Sequence, residues 1–135
     1  ILNYKICKEL TMTLIRWALG IIILSVDFLT RPKPMNRDDK TQEEINKITK
    51  NMSLYQYKAC PFCVKVRRKI RKYSLNIELK DAKNNSSNKN DLKNLGGKLK
   101  VPCLRIENNK NDIQWLYESK DIINFLENKL HLANN

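Results

Sequence analysis

Leu54-Tyr55-Gln56-Tyr57-Lys58-Ala59-Cys60-Pro61-Phe62-Cys63 is the stretch whose reading decides the fold. Its first residues alternate and are β-prone, which predicts a strand over residues 53–57. The run that follows Cys60, residues 61–73, is basic and helix-prone. Proline is tolerated at a first helical position, because the N–H it lacks would have no partner there. The C-x-x-C thus lies at a strand-to-helix junction, with a dithiol at a helix N-terminus. Unpaired N–H groups and the positive end of the helix dipole favour a thiolate on Cys60, the expected nucleophile. Cys63 falls one turn further on, deeper and on the same face, within reach of a mixed disulfide on Cys60. Lys58, Lys65, Arg67 and Arg68 surround the pair with positive charge, which supports a thiolate and attracts an anionic thiol.

Other uses of a C-x-x-C have requirements that this chain meets poorly. A zinc site needs a second ligand pair, and only Cys7, Cys103 and His131 are on offer, so no metal is expected. A structural disulfide here would close too short a loop to restrain the unfolded chain. The length, 135 residues, suits one domain plus an extension. A formal net charge of +12 raises the question of nucleic acid. Lysine and asparagine, however, are spread through loops such as 83–90 and 108–111, and no basic stretch is interleaved with stacking aromatics. No nucleic-acid partner is expected, whereas attraction to anionic lipid fits the charge. Four cysteines, two of them in one motif, make no disulfide framework, which points to a reducing compartment.

Three segments follow from the hydropathy pattern. Residues 1–30 hold the strongest apolar run, 14–29, uninterrupted from Trp17 to Val26 and bracketed by Arg16 and Asp27. A full span needs about 20 mostly apolar residues, so a single membrane anchor is the first reading. A signal-peptide core and a buried or interfacial helix are the others. Arg31, Lys33, Arg37 and Lys40 outweigh Lys5, Lys8 and Arg16, which places the rest of the chain on the cytoplasmic side. Met12 is an alternative start. Residues 31–52 read as a polar linker with a short exposed helix over 39–50. Residues 53–135 read as a compact β-α-β-α-β-β-α domain. After the first strand and helix come a strand at 77–79 and a polar helix at 87–95 closed by Gly96 and Gly97. Strands at 101–106 and 113–116 follow, joined by an asparagine-rich turn. A last helix is capped by Ser119, with Ile122, Ile123, Phe125, Leu126 and Leu130 on its apolar face.

Two further motifs carry chemistry. Val101-Pro102 opens the third strand, where a proline is tolerated and where a cis bond would present backbone beside the dithiol. Glu118-Ser119 opens the last helix. The hydroxyl and free N–H groups of a helix N-terminus can hold a carboxylate and Glu118 an ammonium, which together match an amino-acid zwitterion.

The three motifs, in this order and spacing, make residues 53–132 resemble a glutaredoxin and the thioredoxin-fold N-terminal domain of glutathione S-transferases. The phrase around the dithiol is similar to that of bacterial membrane-linked glutaredoxins and of the glutaredoxin-like domain of membrane-associated prostaglandin E synthase type two. The resemblance implies an α/β thioredoxin-like fold: a four-stranded mixed sheet flanked by three helices, here preceded by the N-terminal hydrophobic helix. It implies a glutathione-dependent dithiol oxidoreductase, with Cys60 as nucleophile, Cys63 as resolving thiol and glutathione as co-substrate. Its second partner is a disulfide or glutathionylated protein. Val101 and Pro102 would bind the cysteinyl backbone of glutathione, Glu118 and Ser119 its γ-glutamyl end, and Lys58 and Phe62 would complete the site. Lys58 stands two residues before Cys60, where small glutaredoxins commonly have lysine three before. The 135 residues hold no counterpart of the all-helical second domain of the transferases. Cys103 is either a third active-site thiol or an ordinary buried strand residue. The competing readings are a non-catalytic glutathione-binding module, a carrier of an iron–sulfur cluster, and an isomerase of the prostaglandin synthase type.

Overall fold

A computed structural model of the chain describes residues 2–133, with side chains from 3 to 131. The end of the domain expected at 135 lies outside the described residues. Nine elements follow one another: α1 (Leu2–Leu29), α2 (Asp39–Thr49), β1 (Met52–Gln56), α3 (Pro61–Lys72), β2 (Glu78–Asp81), α4 (Ser86–Asn94), β3 (Cys103–Asn109), β4 (Asp112–Tyr117) and α5 (Ser119–Ala133). The strands form one mixed sheet in the order β2-β1-β3-β4. β1 runs parallel to β2 and antiparallel to β3, and β3 pairs antiparallel with β4. This is an α/β thioredoxin-like fold.

β1 is buried along its whole length. Successive side chains of a strand point to opposite faces, so such a strand must be covered on both. Met52 and Leu54 join Leu104 and Ile106 against Val66 and Ile70 of α3 and Ile122, Ile123 and Leu126 of α5. On the other face Tyr55 and Cys103 pack with Ala82 and with Leu92 of α4. The Tyr55 and Trp115 rings meet there with centroids 5.3 Å apart. Phe125 and Leu130 are half-buried, so the apolar face read for the last helix is the one that packs.

Several boundaries differ from the sequence reading, each for a local reason. β3 begins at Cys103 rather than residue 101, since Pro102 has no N–H to give the ladder. Ser119 is not the N-cap of α5. Glu118 holds that position: its carbonyl accepts from Ile122 N–H at 3.0 Å, and its φ of 69° turns the chain out of β4. Ser119 is the first helical residue and is buried. α4 starts at Ser86 because the Asn85 side chain accepts from Asn88 N–H at 3.0 Å and caps it.

The larger correction concerns residues 31–52. Helix α2 is there, capped by Asp38, which accepts from Thr41 N–H. It is not an exposed helix in a spacer. Ile45 and Thr49 are buried, Ile45 belongs to the core under α5, and Ile48 packs at its margin. Upstream of α2, Met35 N–H donates to Lys72 O at 3.0 Å and Ser74 Oγ to Met35 O at 2.6 Å. Gln42 Nε2 donates to Ser74 O at 2.9 Å. The segment is polar because one side of it faces water, and two apolar residues one turn apart suffice to dock the other. Replacing a buried isoleucine by alanine costs about 2–5 kcal/mol in a packed core. Ile45→Ala is expected to lower the unfolding free energy in urea by about that amount; a free spacer would show no change.

Candidate redox site

The dithiol is placed by the end of β1. Cys60 is the N-cap of α3 in extended conformation, with φ −75° and ψ 125°. Its N–H donates to Tyr57 O at 3.3 Å and its carbonyl accepts from Val64 N–H at 2.9 Å. The Cys60 side chain makes no capping hydrogen bond, so the first N–H groups of α3 have no side-chain cap. Pro61 stands at the first helical position, as the sequence requires. Cys60 is half-buried and Cys63 fully buried. The Cys63 Sγ accepts from Tyr57 N–H at 3.5 Å. Burial pushes the Cys63 thiol up to about 12; the Tyr57 N–H opposes this, and the neighbouring Cys60 adds to it. The two sulfurs are thus unlike: one reaches solvent, and the other keeps its proton in the core.

Arg67 holds this turn together. It donates to the Gln56 side chain, to Tyr57 O at 3.2 Å and to Lys58 O at 2.6 Å. Burial works against its charge, whereas the two thiols favour it. The sequence reading assigned Arg67 a general positive field. Its first duty is to tie the carbonyls at the end of β1 to the helix that carries the thiols. No sequence pattern marks one arginine of 61–73 for that role. Lys58 and Phe62 are exposed at the rim, Phe62 at 62 %.

Strand register brings the other motifs to the same end of the sheet. Tyr55 of β1 stands opposite Cys103 of β3, and Cys103 opposite Tyr117 of β4. The residues just beyond that row are therefore neighbours: Tyr57 to Cys60 after β1, Val101 and Pro102 before β3, and Glu118 and Ser119 after β4. The Val101–Pro102 bond is cis, with Pro102 buried and Val101 half-buried. Glu118 forms an ion pair with Lys100, a residue the sequence reading did not single out. Tyr117 Oη lies 3.0 Å from Gly96 O and 3.1 Å from Lys98 O, bracing the loop that leads to Pro102. A Cβ on Gly96 would come within 2.5 Å of Leu92 O and 2.8 Å of Tyr117 Oη, so that crossing requires glycine. Cys103 faces the α4 side of the sheet, where burial raises its thiol to about 12 despite a hydrogen bond with Tyr117. Among the described residues no three His, Cys, Asp or Glu side chains gather as a metal site would need, and Cys7 lies exposed on α1.

Residues 52–110, from the start of β1 through β3, match the glutaredoxin family model. The match covers less than half of the chain and supports a glutaredoxin domain of the thiol–disulfide oxidoreductase type there, in a family that generally takes glutathione as co-substrate. Comparison with curated proteins and with solved structures gives no match. The matched region of the glutaredoxin domain contains the dithiol and the cis-proline; Glu118 and Ser119 follow it, and α1 and α2 precede it.

Two measurements test this asymmetry of the thiols. A thiol at about 12 is roughly one part in ten thousand thiolate at about pH 8. In the reduced, folded Cys7→Ser chain, iodoacetamide is expected to modify Cys60 at least about a hundredfold faster than Cys63 or Cys103. Equal rates would mean that Cys63 is not held in the core. The raised values of Cys63 and Cys103 also link stability to pH. An unfolded thiol ionises near 8.5, so their contribution is complete below that pH and is lost as pH climbs toward about 12. Urea midpoints of the reduced protein should fall with rising pH above 8.5, less steeply in Cys103→Ala.

Proposed function

We propose that the protein is a membrane-anchored, glutathione-dependent dithiol glutaredoxin whose redox domain faces the cytoplasm. The observation that carries this reading is the meeting of a half-exposed helix-capping thiol, a buried partner thiol, the Val101–Pro102 backbone and the Glu118–Ser119 corner at one end of the sheet. In the first step the Cys60 thiolate attacks the glutathione sulfur of a mixed disulfide. A Cys60–glutathione disulfide forms, and the substrate sulfur leaves as a thiolate that takes up a proton. A second glutathione thiolate then attacks the glutathione sulfur, releasing oxidised glutathione and the Cys60 thiolate. In the alternative second step Cys63 gives up its proton and attacks the Cys60 sulfur of the Cys60–glutathione disulfide. This releases reduced glutathione and leaves a Cys60–Cys63 disulfide that two further glutathiones reduce, leaving as oxidised glutathione. The buried Cys63 thiol makes the first route the faster one for glutathione mixed disulfides.

Glutathione has matching ends for this site. Its γ-glutamyl ammonium faces Glu118 and its carboxylate the first N–H groups of α5 beside Ser119. Its cysteinyl backbone pairs with Val101 next to Pro102. Lys58 and the Phe62 ring flank the glycyl end. Lys100 pairs with Glu118, so an incoming ammonium exchanges with it and leaves the lysine free for a carboxylate. The anchor is α1: its span Asn3–Leu29 contains an 18-residue window with a mean hydropathy of 1.8 and is long and apolar enough to cross a membrane. The excess of cations after α1 supports a cytoplasmic domain.

The test is glutathione-dependent reduction of a small mixed disulfide by the full chain in detergent. Cys60→Ser is expected to fall to the background rate while Cys63→Ser stays active; the reverse pattern refutes the assignment of roles. Glu118→Gln is expected to raise the KM for glutathione about tenfold, the value of one charge-assisted contact, with kcat little changed. Binding of glutathione without turnover in the wild type would favour the non-catalytic module, and colour after anaerobic iron–sulfur reconstitution the cluster carrier.

A further inference from the structure

α1 does not stand apart from the redox domain. Its last turns lie along α3, with Asp27 only 8 % exposed although it belongs to the apolar helix. Arg68 Nη1 meets Asp27 Oδ1 at 3.1 Å and Thr30 Oγ1 at 3.1 Å, and Arg68 Nη2 donates to Thr30 O at 2.7 Å. Further up, Gly20 faces Ala59, the residue before Cys60 in the chain, so closely that a Cβ at Gly20 would stand 3.4 Å from Ala59 Cβ.

Two cavities flank this joint. One, of about 380 Å³, is lined by Arg31, Arg67, Arg68 and Arg71 with Asp27 as its one carboxylate. Arg67 and Arg68 are committed to the contacts above. Arg71 donates Nε to Pro32 O at 3.1 Å, and among the described residues its two terminal nitrogens have no partner. Arg31 reaches Asp27 at only 3.7 Å and is 41 % exposed. Four guanidinium groups against one carboxylate leave a strong positive excess with unused planar donors. The second cavity, of about 310 Å³, runs between α1 and α3. Ile22, Ile23, Val26, Pro61 and Val64 line it, and it shares Asp27, Thr30 and Arg68 with the joint. It opens onto the exposed apolar side of α1, where Ile22, Val26, Phe28 and Leu29 face outward.

We propose that the joint between α1 and α3 is a binding site for one anionic phospholipid. Arg31 and Arg71 hold the phosphodiester and an acyl chain lies in the apolar groove beside Pro61. The chemistry fits on both sides. Arginine donors match phosphate oxygens two at a time, and an apolar groove has no use for a free phosphate or a nucleic acid. The cation cluster follows the last turn of the apolar helix, as basic residues beside a membrane-bound segment do. A lipid there would be a wedge between anchor and redox domain, in contact with the turn that carries Cys60. This inference rests on the anchoring of α1 in a bilayer, but not on the glutathione chemistry.

The full chain is reconstituted into phosphatidylcholine vesicles containing a minor fraction of phosphatidylglycerol, extracted in detergent, and examined by native mass spectrometry for retained lipid. One phosphatidylglycerol per chain is expected. Each cation near an anionic lipid is worth about fivefold in affinity, so Arg31→Gln with Arg71→Gln should cut retention about 25-fold. Lys40→Gln with Lys50→Gln removes the same charge from α2 and its C-cap and should leave retention as it was. An equal fall in both pairs means diffuse attraction and overturns the site. So does retention of phosphatidylcholine in equal measure, or displacement of the lipid by millimolar inorganic phosphate, which would make the pocket a soluble-anion site. Flotation with neutral vesicles separates the two readings: a chain that inserts but retains no anionic lipid refutes this site alone, and a chain that fails to insert refutes the anchor and this site together.

Discussion

The row of residues Tyr55–Cys103–Tyr117 across β1, β3 and β4 is the constraint on which the rest of the structure depends. β1 ends one residue past that row, β3 begins there and β4 ends there, so three segments far apart in the chain are delivered to one end of the sheet. The pairing is held from both faces, because β1 buries Leu54 on the α3 and α5 side and Tyr55 on the α4 side. A slip of one residue would turn every side chain of a strand to the opposite face. With both faces of β1 committed to different partners, no such slip is tolerated. The site therefore inherits its geometry from the core and needs few contacts of its own.

What the site does add is a division of labour between charges. Positive residues are plentiful around the dithiol, yet they are not equivalent. Arg67 is turned inward onto backbone carbonyls, Arg68 is turned back onto α1, and Lys58 stays at the rim. The same holds for Glu118, which meets Lys100 rather than empty solvent. That pairing leaves neither charge without a partner at the exit from β4. The difference between the two thiols arises from burial and not from charge: Cys63 lies in the core, where an anion has lost its water.

The extension is joined to the domain by the same logic of buried polar groups needing partners. Asp27 interrupts an apolar helix at a cost that is recovered only because Arg68 and Arg31 reach it. That pairing, together with the stitched segment from Pro32 to Ser74, makes α1 and α2 part of one body with the dithiol. A dithiol attached in this way is held at a set distance from the apolar helix.

Local chemistry was legible in the chain itself. Strand, proline and C-x-x-C spacing specify a thiol at a helix N-terminus, since those preferences are set by residues within a few positions of one another. The asparagine-rich turn, the glycine at Gly96 and the apolar face of the last helix are local in the same sense. Short-range signals could not show which polar stretch packs. Ile45 and Thr49 look like the incidental apolar and small residues of a linker until α5 is seen to cover them. Nor could they separate Arg67 from Arg68, one residue apart on the same helix and pointing to different parts of the molecule. Ser119 reads as a cap by residue type, yet the cap is Glu118 because the exit from β4 needs a positive φ at that position. The sequence by itself determined the elements and the thiol at the start of α3, because propensity and periodicity act along the chain. The tertiary structure alone decided which charges meet, which thiol is buried and how the hydrophobic helix joins the site, because burial and pairing are relations between segments that the chain order leaves open.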